Sequence, residues 1–113
     1  MHEQSIVESL LALALEEGAK AGASKILQID IVVGELSGVL EEAVEFYFSF
    51  LSRNTIAAGA RLSFTRVPAR LRCRNCETVF LPKGLDLHCP TCNEQQVEVV
   101  SGRELRMDSM EVE

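Results

Sequence analysis

Four cysteines fall in two C-x-x-C pairs, Cys73-Arg74-Asn75-Cys76 and Cys89-Pro90-Thr91-Cys92, with twelve residues between the pairs. Two residues between thiols let both sulfurs of one turn face a single ion. A second such turn completes a tetrahedron, with Zn–S bonds of roughly 2.3 Å. When thiolate fills all four positions no water coordinates, so the spacing points to a structural zinc site. One pair alone would equally suit redox chemistry, but its duplication argues against that reading. Iron is the other competitor, because four thiolates accept it too. The glycines that often follow such turns are replaced by Glu77 and Asn93. Asn tolerates a left-handed backbone and Glu less so, so the first turn is expected to differ from the second. His88, beside Cys89, is surplus to four thiolates. It reads as an exposed loop histidine, with a substitute or pH-responsive ligand as the alternative.

A second constellation sits at the start of the chain, Met1-His2-Glu3. An α-amino group titrates near about 7.7–8.0, so it yields its proton readily to a metal. The amine, the His2 imidazole and the intervening backbone amides make a nitrogen-rich, square-planar set suited to Ni(II) or Cu(II). Spacing alone favours the plainer reading, an exposed terminal histidine.

The elements that must position these groups follow from periodicity. Residues 3–21 read as an amphipathic helix, with Ile6, Leu10 and Leu13 beside Val7, Leu11 and Ala14, stopped at Gly22. Residues 25–33 alternate as a strand, Leu27, Ile29, Ile31 and Val33 against Ile26, Gln28, Asp30 and Val32. A second helix is expected over 39–53, with Leu40, Val44, Tyr47, Phe48 and Leu51 at helical spacing. A second strand follows over 60–67 and closes at Pro68. After the cysteine segment, residues 97–100 and 102–113 alternate again. The apolar face changes between Met107 and Met110, which requires a bulge near Ser109 or an end to pairing there. The result is an α+β fold: two helices on a small mixed sheet of about three strands, with an inserted four-cysteine module. Residues 1–70 and 96–113 form one discontinuous domain, and residues 71–95 form the zinc domain, which is too small for a core of its own and needs a staple. The two connections, 68–72 and 97–102, suggest relative motion.

The 113 residues are 47% apolar and 25% charged, which excludes intrinsic disorder. No apolar run approaches the ~20 residues of a membrane helix, and the first residues lack a basic secretory start. A cytoplasmic protein is expected, where reducing conditions favour metal sites over structural disulfides. The net charge of −6 and the lack of Trp argue against nucleic acid as a partner. The cluster Arg61, Arg66, Arg70, Arg72 and Arg74 is then most simply a solvated face. There is no phosphate loop and no paired nucleophile and base, and the thiolate site is closed, so no enzyme activity is expected. Glu41 and Glu42 read as a solvated helix face.

Taken together, the initial Met-His-Glu, Ser5-Ile6-Val7, Val33-Gly34-Glu35-Leu36-Ser37, Gly59-Ala60-Arg61-Leu62, the paired C-x-x-C, Gly102-Arg103-Glu104-Leu105 and Ser109-Met110-Glu111-Val112 form a wider pattern. It resembles the HypA/HybF family of nickel metallochaperones for [NiFe] hydrogenase maturation, over essentially the whole chain. The resemblance implies that His2 ligates nickel, with the Met1 amine and Glu3 as helpers. It implies that Cys73, Cys76, Cys89 and Cys92 ligate structural zinc. It further implies Ni(II) as cargo, a HypB-type GTPase and the hydrogenase large-subunit precursor as partners, urease maturation factors for some members, and a homodimer as a compatible state. Glu77 and Asn93 are the departures from the family pattern.

Overall fold

A computed structural model describes residues 3–84 and 86–113. The first helix, α1 (Glu3–Lys20), carries the acidic Glu3 in its first turn and Lys20 in its last, matching the helix dipole. It ends as the sequence suggests. Gly22 adopts φ 67°, the Ala23 N–H donates to the Gly18 carbonyl, and the Gly22 N–H donates to Ala19. These are the two bonds of a Schellman stop, which favours glycine at the left-handed position. The buried stripe is narrower than the periodicity implies: Val7, Leu11, Ala14 and Gly18. Leu13 is exposed, because only the seam facing the neighbouring elements is covered.

The chain divides into two compact units. The first comprises residues 1–32, 38–65 and 106–113. It contains α1 and α2 (Glu41–Leu51) packed together, most of β1 (Ile26–Gly34), much of β2 (Arg61–Val67) and most of the final strand, β6 (Leu105–Val112). The strand order is β2-β1-β6. Glu113 donates to the Lys25 carbonyl and Gly34 donates to Glu104 at opposite ends of β1, so β6 runs antiparallel to it. The Glu35 N–H meets the Val67 carbonyl where β1 and β2 both finish. That arrangement makes them parallel, with α2 in the connection. The expected α+β fold, two helices with a small mixed three-stranded sheet, is what the structure shows.

Three local expectations are corrected. Leu27 is exposed while its face-mates Ile29, Ile31 and Val33 are buried, and Ile26 and Val32 are buried on the opposite face, so β1 is covered on both sides except at Leu27. Leu40 precedes α2 as an exposed N-cap residue in extended conformation instead of lying in the helix core. Pairing does not end at Ser109. β6 continues to Val112, and the Ser109 hydroxyl donates to Asp30 Oδ2 at 2.7 Å while Gln28 donates to Oδ1 at 2.8 Å. The Ser109 bond, then the Gln28 bond, hold the Asp30 carboxyl below its usual range.

The second unit comprises residues 33–37 and 66–105. It holds a second sheet, β3 (Arg70–Cys73) between β4 (Val79–Phe80) and β5 (Val97–Ser101), of which the periodicity marks only β5. Both pairings are antiparallel. Leu71 faces Phe80 on one side and Val99 on the other, and Cys73 faces Val97. β3 and β4 are four and two residues long, too short for alternation to stand out. The two connecting segments, 68–72 and 97–102, are largely strand. The register slips between Arg70 and Leu71, consistent with a bulge at the mouth of the unit.

That mouth is crowded. Gly34 donates to Glu104 O, the Leu36 N–H to Gly102 O, and the Ser101 hydroxyl to Pro68 O. Carboxylates cap two further amides, Glu35 on Ala69 and Glu104 on Gly102. A Cβ on Gly34 would lie 2.1 Å from the Gly102 carbonyl oxygen. Gly102 itself sits at φ 115°, with Ala69 Cα 2.8 Å from where its Cβ would be. Backbone occupies the space, so no side-chain rotation relieves the clash. Gly34→Ala is expected to cost about 3 kcal/mol through overpacking, read as a lower urea midpoint at unchanged slope. A loss below about 0.5 kcal/mol, ordinary for a surface change, would show that the crossing is loose.

Candidate metal centre

The four cysteine sulfurs converge, all lying within 4.8 Å of one another. Roughly 2.3 Å bonds to one tetrahedral ion separate sulfurs by about 3.8 Å. Two pairs are already close, Cys73 with Cys92 at 3.4 Å and Cys76 with Cys89 at 3.5 Å. Both pairs join one turn to the other. The soft four-sulfur donor set fits zinc or a comparable thiophilic ion.

Each turn is built the same way. The Glu77 N–H donates to the Cys73 carbonyl and the Cys73 N–H to Thr78; the Asn93 N–H donates to Cys89 and the Cys89 N–H to Glu94. Glu77 and Asn93 have φ 63° and 64°. The expectation that the first turn would differ is therefore wrong. Glu77 takes the strained left-handed conformation, at a cost of roughly 1–2 kcal/mol, because the bonding pattern that aims both sulfurs inward requires it.

Burial distinguishes the four. Cys73 and Cys89 are fully buried, Cys92 half-buried and Cys76 exposed. The Cys76 sulfur lies 3.1 Å from the Thr78 hydroxyl, and the Thr91 N–H points at Cys89 Sγ over 3.4 Å. Their acidities diverge accordingly. The Cys76 amide favours the Cys73 thiolate, but burial and the neighbouring Cys92 and Cys76 thiols push Cys73 up to about 11. Burial also opposes ionisation of Cys89. There the Cys92 and Thr91 amides, with the Cys76 and Cys92 thiols, prevail and bring it down to about 6. The Asn75 side chain, then the Glu94 amide, lower Cys92.

The surrounding charges resolve two open points of the sequence. Arg72 and Arg74 both reach Glu98 on the neighbouring strand, so two arginines of the cluster are spent within the sheet. The His88 ring is held at both nitrogens, Nδ1 to Asp86 Oδ1 and Nε2 to the Gln95 amide, each at 2.7 Å. Asp86 also accepts the His88 N–H. That backbone bond, then the imidazole, hold the Asp86 carboxyl below its usual range. This arrangement favours the loop-histidine reading over a substitute or pH-responsive ligand. Asp86 and Gln95 were missed in the sequence; the only signal was an acid two residues before a histidine. Of the N-terminal constellation, Met1 and His2 lie outside the described residues. Glu3 is half-buried in the first turn of α1.

The acidities give a pH signature for metal-free protein. Cys89 is depressed on folding, so stability rises with pH from about 6 toward the ordinary thiol value of 9.0 and is lost as pH falls back through 6. Cys73 is raised, so stability falls again between 9.0 and about 11. Thiolate absorbance in the ultraviolet is expected to rise first with a midpoint near 6, from Cys89, with Cys92 also ionising below the ordinary thiol value. Four coincident titrations near the ordinary value would contradict the geometry.

Comparison with known proteins agrees with this architecture. Residues 1–112 match the family described as hydrogenase/urease nickel incorporation, metallochaperone, hypA. A hydrogenase maturation factor HypA of Geobacter sulfurreducens is 44% identical over 113 residues, with the whole of both chains covered. One from Dehalococcoides mccartyi is 43% identical over 114 residues, covering 100% of this chain and 95% of its own. A solution structure of HypA protein superimposes with TM-score 0.77 at 32% identity, covering 99% of this chain and 96% of that one. The solution structure of the Ni metallochaperone HypA from Helicobacter pylori gives 0.69 at 31%, covering 99% and 97%. Fold, four-cysteine cluster and full-length similarity converge: the chain belongs to the HypA family of hydrogenase maturation factors.

Proposed function

We propose that this protein carries Ni(II) to the hydrogenase large-subunit precursor during maturation, acting with a HypB-type GTPase in the cytoplasm. The observation that carries this is the match over residues 1–112 to a family described by nickel incorporation. Among the described residues, no helix is long and apolar enough to cross a membrane. Nickel is cargo, and the protein performs no catalysis on it. His2 supplies the imidazole, the Met1 amine a second nitrogen, and Glu3 a backbone or side-chain donor. A nitrogen-rich set of this kind matches the square-planar preference of Ni(II).

Cys73, Cys76, Cys89 and Cys92 hold zinc in a structural role. A full set of four thiolates leaves no position for water or cargo. In this reading residues 71–95 are the zinc domain, and residues 1–70 with 96–113 are the nickel domain. Zinc replaces the apolar core that so short a segment lacks. Urease maturation factors are further candidate partners, and a homodimer is compatible with the carrier role. The acidic chain has no part in nucleic-acid binding.

The N-terminus decides the matter. On untagged protein, His2→Ala is expected to abolish tight nickel binding in calorimetric titration while zinc content and far-ultraviolet circular dichroism stay unchanged. One residue added before Met1 is expected to weaken binding as well, because the amine becomes an amide. Nickel uptake should release protons and weaken as pH falls. Parental nickel affinity in His2→Ala places the cargo site elsewhere and overturns the assignment.

A further inference from the structure

The metal centre is asymmetric in a way that a purely structural site does not require. Three of the cysteines are buried or half-buried and one, Cys76, is exposed. Its recorded sulfur neighbour is Cys89 at 3.5 Å, across the centre rather than within its own turn. The remaining two, Cys73 and Cys92, are paired at 3.4 Å. A disulfide needs about 2.05 Å between sulfurs, so a modest approach of the two turns would close either bond. Both turns keep their internal backbone bonds, Glu77 to Cys73 and Asn93 to Cys89, whichever cross-bond forms.

We propose that Cys76 is an oxidative modification site at which a hydroperoxide attacks, and that Cys89 resolves the product as a disulfide that opens the metal centre. The inference rests on the four-cysteine zinc reading above. Peroxides oxidise sulfur according to thiolate character and access. Metal binding keeps all four sulfurs deprotonated, so access selects among them, and Cys76 is the most exposed of the four residues.

The chemistry balances. A Cys76 sulfur electron pair attacks one oxygen of hydrogen peroxide, the S–O bond forms, the O–O bond breaks, and the departing hydroxide takes a proton from solvent to become water. The Cys89 thiolate then attacks the sulfenic sulfur, the S–S bond forms, and the second oxygen leaves as hydroxide and is likewise protonated. Two thiolates are oxidised by two electrons, two protons are consumed, and peroxide is reduced to two waters. The ion keeps only Cys73 and Cys92, which a second peroxide joins by the same steps.

The test uses the full chain as purified, treated with substoichiometric hydrogen peroxide, alkylated at its free thiols and digested with trypsin. Cleavage after Arg72, Arg74, Lys83 and Arg103 places Cys73, Cys76 and the Cys89/Cys92 pair on three different peptides. The first disulfide is expected to link peptide 75–83 to peptide 84–103 through Cys89, in step with zinc appearing in a chromogenic chelator, and a thiol reductant should reverse both. A first bond from Cys73 to Cys76 or from Cys89 to Cys92 overturns the proposal. So does a Cys76 that stays fully alkylatable under excess peroxide. Zinc per chain before treatment is measured separately. A zinc-free protein that still forms the Cys76–Cys89 bond first would overturn the zinc reading and leave this site standing.

Discussion

Convergence of four sulfurs on one point is the constraint around which the second unit is organised. Among the described residues its buried side chains are few: Val33, Ala69, Leu71, Cys73 and Cys89. Apolar burial is worth about 25 cal/mol per Å², and so small a set yields too little to order some forty residues against chain entropy. The bonding of the two turns, the left-handed Glu77 and Asn93, and the antiparallel placement of Cys73 opposite Val97 all serve the same end. They bring donors, rather than apolar surface, to the middle.

The first unit obeys a different rule. β1 is the central strand, and four of its side chains in this unit, at Ile26, Ile29, Ile31 and Val32, are buried. Helices α1 and α2 bring Val7, Leu11, Ala14, Val44 and Phe48 into the core. Here ordinary side-chain packing suffices, and the polar contact between Asp30 and Ser109 ties β1 to β6 at one register. One chain thus uses two means of stabilisation, each suited to the length of sequence it serves.

Legibility in the sequence tracked the length of each element. Helices of 18 and 11 residues and strands of seven to nine left periodic signals long enough to read. β3 and β4 span four and two residues; exposed Arg70 and Arg72 do alternate with buried Leu71 and Cys73, but over a stretch too short to stand out. The cysteine cluster was legible because spacing alone dictates it. The Asp86–His88–Gln95 chain was not, because nothing in a sequence says that residues seven apart meet across a turn. The burial of Ile26 and the exposure of Leu27 were not legible for a related reason: alternation gives two faces without saying how far along the strand each is covered.

The crossing of Gly34 over Gly102 has a consequence for how this chain can vary. The strands entering and leaving the second unit run side by side there, joined by Ser101 to Pro68 and by the pairing of Arg70 with Ser101. Whatever lies between them begins and ends at nearly the same place. The entropy of closing a loop grows only as the logarithm of its length. The stretch between the cysteine turns is therefore free to lengthen, shorten or exchange its surface while the neck stays as it is. The unit is a cassette whose two ends are held together, and two glycines set how closely those ends lie.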